Sequence, residues 1–306
     1  MGPDQALRYD VNCSILFTEL PLLQRPAAVR AAGFGAAEYW WPFAAAVPAD
    51  REVDAFVSSL RDAGIRLVSL NFFAGDMAAG DRGLLSWAGR GAEFRDNVQL
   101  ATAVGERLGC QSFNALYGNR DDMTAPRQQD ELALGNLVYA MDAVARIGGT
   151  VVVEAVSGAD RYPLRTAADG MAVIDRANQA AGAANCRFLA DLYHLTVNGD
   201  DVAAVIAEHA PAIGHVQIAD APGRGAPGTG QIDLAAHLGQ LADAGYRGWV
   251  GLEYRAAGAT ADSFGWLPRE QRAAPIAGPP TTTHGVASTG GPVTTEGAVT
   301  TEGAER

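Results

Sequence analysis

The chain has 306 residues, of which 48% are hydrophobic and 19% charged, with a mean hydropathy near zero, values that suit a globular protein with a full-sized core. A formal net charge of -12 and an isoelectric point near 4.8 oppose binding to a polyanion and exclude nonspecific nucleic-acid recognition. The apolar runs are strand-sized and the N-terminus MGPDQALRYD has no apolar leader core, so the expectation is a cytoplasmic protein with no membrane span.

In chain order, an opening strand is predicted over Tyr9 to Ile15. Helical spacing then alternates with short apolar runs that follow a Gly- or Asn-bearing helix end. Leu23 to Ala32 leads into AAGFGAAEYW, Val53 to Asp62 into DAGIRLVSLN, and Glu93 to Leu108 into RLGCQSFNAL. Gln129 to Arg146 precedes RIGGTVVVEA, and Ala168 to Ala181 precedes AANCRFLADL. Val202 to His209 leads to APAIGHVQIA and Leu234 to Ala244 to DAGYRGWVGLE. Strands buried on both faces and alternating with helices make a parallel sheet. About eight such units over roughly 250 residues predict a closed (β/α)8 TIM barrel. A doubly wound sheet is disfavoured, because VNCSILFTELP after the first strand has no glycine-rich phosphate turn.

The barrel is expected over residues 1–267 and a disordered tail over 268–306. The segment GPPTTTHGVASTGGPVTTEGAVTTEGAER is too poor in apolar residues to offset the entropy of ordering, and His284 within it is given no role. Cys13, Cys110 and Cys186 are odd in number and lack CxxC spacing, so they read as small packed hydrophobes rather than disulfide or zinc partners.

Chemistry concentrates at strand ends. Glu154 closes TVVVE, Asp191 closes CRFLAD, Gln217 follows GHV and Glu253 closes GWVGLE. Singly, each reads as a helix-capping or loop residue. Together, on four consecutive strands, they place three carboxylates and an amide oxygen along one arc of the barrel mouth, a hard donor set for Mg²⁺ or Mn²⁺. A cation chelated by adjacent carbonyl and hydroxyl oxygens of a substrate would acidify the neighbouring C–H and stabilise an enediolate. Glu154 and Glu253 are then the expected proton-transfer pair.

His194 in DLYH and Arg224 in DAPGRGAPGTGQID are expected to meet substrate oxygens, and His215 to support the metal layer from beneath. Asn12, Glu38, Asn71 and Asn114 end the first four strands and read as substrate-facing groups. The long loop NFFAGDMAAGDRG, with Phe72, Phe73, Met77 and Arg82, is expected to close over the site or to meet a second subunit. Trp40 and Trp41 offer an apolar wall or simple packing.

AGDMAAGDRG with GRGAEFRDNV, DLYH, IGHVQIADAPGRGAPGTGQID and GWVGLEY together resemble the hydroxypyruvate isomerase family of xylose-isomerase-like barrels, from about Tyr9 to Tyr254. Gln217, where sugar epimerases usually carry His, marks this branch. The resemblance implies a divalent metal on Glu154, Asp191, Gln217 and Glu253, and interconversion of hydroxypyruvate and tartronate semialdehyde with Glu154 and Glu253 as acid and base. It points to a small hydroxy-oxo acid as partner, whose carboxylate needs Arg224 or another positive group. Ala155, Val156 and Ser157 replace the Pro-Ile-Asn common after the fifth-strand Glu, and Ala226 and Gln231 replace acidic residues. These departures leave 2-oxotetronate isomerisation or 3-epimerisation of a free ketose as alternatives. A catalytically silent binding barrel is the non-enzyme reading. Barrels of this kind often dimerise, so a homo-oligomer is compatible with each.

Overall fold

The computed structural model describes residues 7–273. Eight parallel strands, β1 (Arg8–Asn12), β2 (Ala36–Tyr39), β3 (Arg66–Asn71), β4 (Ser112–Asn114), β5 (Thr150–Glu154), β6 (Cys186–Asp191), β7 (Ile213–Ile218) and β8 (Trp249–Leu252), close in sequence order into a barrel. This is the predicted (β/α)8 architecture. Helices α1 (Arg25–Ala31), α2 (Asp50–Ala63), α3 (Gly91–Leu108), α4 (Pro126–Ala145), α5 (Ala167–Ala181), α6 (Leu192–Asn198), α7 (Val202–His209) and α8 (Leu234–Asp243) alternate with the strands, and α9 (Arg269–Arg272) follows β8.

Local chemistry explains the boundaries. Gly64, Gly109 and Gly182 end α2, α3 and α5 at φ 63°, 70° and 62°, left-handed values that cost glycine little. Thr166 and Asp169 cap the start of α5 reciprocally, and Asp201 and Asp233 accept the Ala204 and Ala236 N–H groups at the starts of α7 and α8. The three cysteines are buried and free. Among the described residues no helix is long and apolar enough to cross a membrane.

Two departures from the sequence pattern matter for function. The opening strand stops at Asn12, where the Ile15 and Leu16 N–H groups turn back onto the Asn12 carbonyl. Between β6 and β7 stand two helices, and the unpredicted α6 begins directly after Asp191. Residues 269–272, inside the segment expected to be tail, are helical. Arg269 and Arg272 donate to the carbonyls of Ala31 and Ala32, and Arg272 also to that of Phe264. The remainder of that expected tail, with His284, lies outside the described residues.

Strand alternation puts Arg8, Asp10 and Asn12 on one face of β1. The β6–β7 register sets Asp191 beside Gln217 and the β3–β4 register sets Asn71 beside Asn114. Polar strand ends thus collect at the carboxyl mouth.

Candidate active site

Asp191 does two jobs. Its Oδ1 accepts the N–H groups of Tyr193 (2.8 Å) and His194 (3.1 Å), capping α6, while Oδ2 faces the Arg224 Nη2 at 3.3 Å. One carboxylate both caps a helix and faces the Arg224 guanidinium. Arg224 Nη2 also donates to Glu253 Oε1 at 2.6 Å, and its Nε donates to the Glu253 carbonyl at 3.1 Å. The guanidinium stacks over Tyr193, with its central carbon 5.3 Å from the ring centroid.

Arg224 is aimed by its loop. Its backbone sits at φ 57°, a left-handed value uncommon outside glycine. The segment is built on Asp220, whose Oδ1 accepts from the N–H groups of Ala221 and Ile232 and whose Oδ2 accepts from those of Gly228 and Gly230. Burial pushes the Asp220 carboxyl up, but these four donors together hold it below its ordinary range.

Glu154 accepts from Asn114 Nδ2 at 2.7 Å. Its carboxyl is pushed up to about 8, first by burial and then by the Asp191 charge. Burial likewise pushes Glu253 well above the usual carboxylate range, with Arg224 pulling the other way. His194 Nδ1 accepts the Ser157 N–H at 3.0 Å and lies 2.7 Å from the Ser157 hydroxyl. An accepting Nδ1 puts the proton on Nε2, so Nε2 is a donor, 3.5 Å from Asp191 Oδ2. Burial lowers this imidazole to about 4, so the ring is neutral near pH 7.

Beneath this layer a second network runs across the barrel. Glu38 accepts from Asn12 Nδ2 at 2.9 Å and from Gln217 Nε2 at 2.7 Å, and meets His215 Nε2 at 2.5 Å. Gly251 on β8 makes room for it, because a Cβ there would lie 2.6 Å from Glu38 Oε1. With its nitrogen committed to Glu38, the buried Gln217 Oε1 has no hydrogen-bond partner. Burial, with Glu38 and Glu253 nearby, pushes Asp10 well up, and neither of its carboxyl oxygens has a partner.

The donor set suits a divalent cation. Glu154, Asp191 and Glu253 can carry three negative charges against the single guanidinium of Arg224, and the buried orphan Gln217 Oε1 is a hard neutral donor. Ligand atoms of Glu154, Asp191 and His194 also lie within 4.8 Å of one another. The His194 tautomer argues that its Nε2 serves as a donor rather than a ligand. The residues fit the ion.

Residues 26–270 match the family model described as xylose isomerase-like TIM barrel. The chain belongs to that family. A protein of Streptomyces coelicolor named putative hydroxypyruvate isomerase is 53% identical over 272 residues, covering 87% of this chain and 98% of the relative. A 2-oxo-tetronate isomerase of Cupriavidus necator is 32% identical, covering 85% and 97%. A crystal structure described as AP endonuclease, family 2, from Brucella melitensis superposes with a TM-score of 0.77 at 32% identity, covering 85% and 97%. The chain is thus an enzyme of the isomerase class, hydroxypyruvate isomerase-like.

In this xylose-isomerase-like barrel the expected site residues divide by depth. Glu154, Glu253, His194, Arg224 and Asn71 line a cavity of about 620 Å³ at the carboxyl mouth, with Trp40, Met77 and Arg82 among its other walls. Asp191 and Asn114 stand behind it, bonded to Arg224 and Glu154. Asn12 and Glu38 do not face substrate as expected. They are spent on each other and on Gln217. His215 supports this layer through Glu38.

Phe72 and Phe73 are buried, Phe72 stacking on Phe113 at 5.6 Å, so they anchor the loop after β3 and leave Met77, Ala78 and Arg82 at the cavity. Trp40 lines the cavity, whereas Trp41 is buried and donates to the Ala45 carbonyl. Sequence reading missed Asp220 and Ser157. The glycines spaced through the loop after Asp220 were the available signal for the first. Ser157 carried none, since its partner His194 is distant in sequence.

Proposed function

We propose that this isomerase interconverts hydroxypyruvate and tartronate semialdehyde with Mg²⁺ or Mn²⁺ bound by Glu154, Asp191, Gln217 and Glu253. The observation that carries the reading is the buried set of three carboxylates and an orphaned amide oxygen, with Arg224 as the guanidinium paired to two of them. When bound, the cation supplies polarisation of the substrate carbonyl. The remaining work falls to side chains of the chain itself. Of Glu154 and Glu253, one removes a proton from C3, and either the same carboxyl returns that proton to C2 or the other delivers its own there, solvent restoring the two protonation states. The C3–H bond breaks, a C2–H bond forms, and the hydroxyl proton passes from O3 to O2. His194 Nε2–H donates to a substrate oxygen, and Asn114 orients Glu154. Arg224 has Nη1 left for a substrate carboxylate while its Nη2 positions Glu253.

A second reading, isomerisation of the four-carbon 2-oxotetronate, is supported by a relative and is compatible with the cavity. Its volume of about 620 Å³ lies within the range of small-molecule pockets and admits the extra carbon of the longer acid. The name of the Cupriavidus necator relative supports the same substrate class.

The test is proton NMR in D₂O with Mg²⁺ or Mn²⁺ over hydroxypyruvate, 2-oxotetronate and free ketoses. Deuterium uptake by one of the two acids, lost in a folded Glu253→Gln variant, is expected. Uptake only by a ketose would replace the proposal with 3-epimerisation. No uptake by any substrate would leave the silent binding barrel.

A further inference from the structure

The barrel opens a second time at its N-terminal end, away from the carboxyl mouth. A cavity of about 660 Å³ lies among the strand starts and the loops that feed them. Arg8 of β1, Arg66 of β3, Arg187 of β6 and Arg247 before β8 all line it, with His215 and Tyr246 among the other walls. No Asp or Glu lines it among the described residues. In a chain with 35 acidic and 23 basic residues, four arginines meeting without an acid run against composition.

Three of the four guanidinium groups, those of Arg8, Arg187 and Arg247, are held by neutral acceptors. Arg8 Nη2 donates to the Arg247 carbonyl, and its guanidinium carbon lies 4.8 Å from the Trp249 ring centroid. Arg187 Nη2 donates to the carbonyls of Pro211 and Ile213. Arg247 Nη1 donates to those of Ala242 and Tyr246. None of the four pairs with a carboxylate among the described residues, whereas Arg90, Arg120 and Arg224 each do. Burial lowers the Arg8 pKa, and the charge of Arg66 lowers it further, so the two cations stand close enough to oppose each other. Backbone-anchored guanidinium forks with donors to spare are preorganised for an oxyanion with several oxygens, and a dianion offsets more than one of them.

We infer that the N-terminal end of the barrel is a binding site for a phosphoryl dianion, either free phosphate or the phosphate of a larger metabolite. Arg8, Arg187 and Arg247 supply the anchored forks, Arg66 completes the ring, and the volume leaves room for more than phosphate itself. The site is distinct from the carboxyl mouth. His215, which lines this cavity and bonds Glu38, links it to that layer.

The test is isothermal titration calorimetry of the full chain at low salt with inorganic phosphate, pyrophosphate and AMP, against chloride at matched ionic strength. Saturable one-to-one binding is expected. Arg66→Ser should weaken it about tenfold or more, as loss of a charge-assisted contact does. The Arg66 side chain makes no hydrogen bond or ion pair among the described residues, and its backbone N–H bond to the Gly35 carbonyl is kept in the variant, so the substitution spares the fold. Arg127→Ser, which removes the same charge from exposed α4, should change little. Phosphate binding assigns the free ion, and binding of AMP alone assigns an organic phosphate. The proposal is overturned by the absence of saturable binding, by affinity indifferent to Arg66→Ser, or by equal weakening from Arg127→Ser.

Discussion

Replacing Glu38 with alanine should weaken metal binding without touching any metal-facing atom. The Glu38 carboxylate receives Asn12 Nδ2 at 2.9 Å and Gln217 Nε2 at 2.7 Å and meets His215 Nε2 at 2.5 Å, all in the buried interior. Its removal leaves two amide donors and an imidazole without their partner. At roughly 1–3 kcal/mol for each unsatisfied buried group, and allowing for relaxation and entering water, the fold loses about 3–5 kcal/mol. The Gln217 amide then turns freely and presents nitrogen as readily as oxygen, and loss of such an orienting partner costs about 10–100-fold in metal affinity. Glu38→Gln keeps an acceptor for the two amides and turns its NH₂ toward His215, which can accept by moving its own proton to Nδ1. It should therefore retain most of the affinity. Urea unfolding measures the first quantity, and Mn²⁺ binding followed by electron paramagnetic resonance the second. A folded Glu38→Ala protein with wild-type Mn²⁺ affinity would refute the reasoning.

Gly251→Ala should disturb the same network from β8, because the new Cβ falls 2.6 Å from Glu38 Oε1; a loss of about 1–3 kcal/mol in urea unfolding is expected. Asp220→Ala removes the acceptor of four backbone N–H groups and frees the loop that aims Arg224. Turnover should fall by up to about 10²-fold, with faster proteolysis between residues 221 and 230, and unchanged kinetics would count against this role. Since the Asp220 carboxyl is lowered, its contribution to loop order is present above the ordinary carboxylate value and is lost as pH falls through the lowered one. Loop proteolysis should accelerate only in that acidic window. Glu154, lifted to about 8 without metal, holds a proton near pH 7 that a cation must displace. Mn²⁺ affinity should rise about tenfold per pH unit and level above that value, and calorimetry in two buffers of different ionisation enthalpy would detect the released proton.

Much of the candidate site was legible before any fold was known. Glu154, Asp191, Gln217 and Glu253 stand at the ends of apolar runs, and the recurrence of strand and helix signals is enough to put those ends at one mouth. Helix α6 escaped because it is short and starts at Asp191, so its cap looked like a loop. The sequence does not tell which part of the loop after β3 faces the site or a second subunit, because an apolar pair after a strand has the same local pattern whether it turns outward or in. Packing on Phe113 turned Phe72 inward.

The chain's own order of residues determined the eight strand and helix units, the hard-oxygen character of the mouth and the family, because propensity, helix caps and strand-end polarity act over a few neighbouring residues. Tertiary structure alone decided which groups share a proton or a charge. Barrel closure brings Glu38 to His215 and Gln217, 177 and 179 residues away, and the fold of the Asp220 loop sets Arg224 between Asp191 and Glu253. The same closure gathers Arg8, Arg66, Arg187 and Arg247 around one cavity. Electrostatic and hydrogen-bond energies depend on distance in space, and a closed barrel makes neighbours of residues that no local pattern connects.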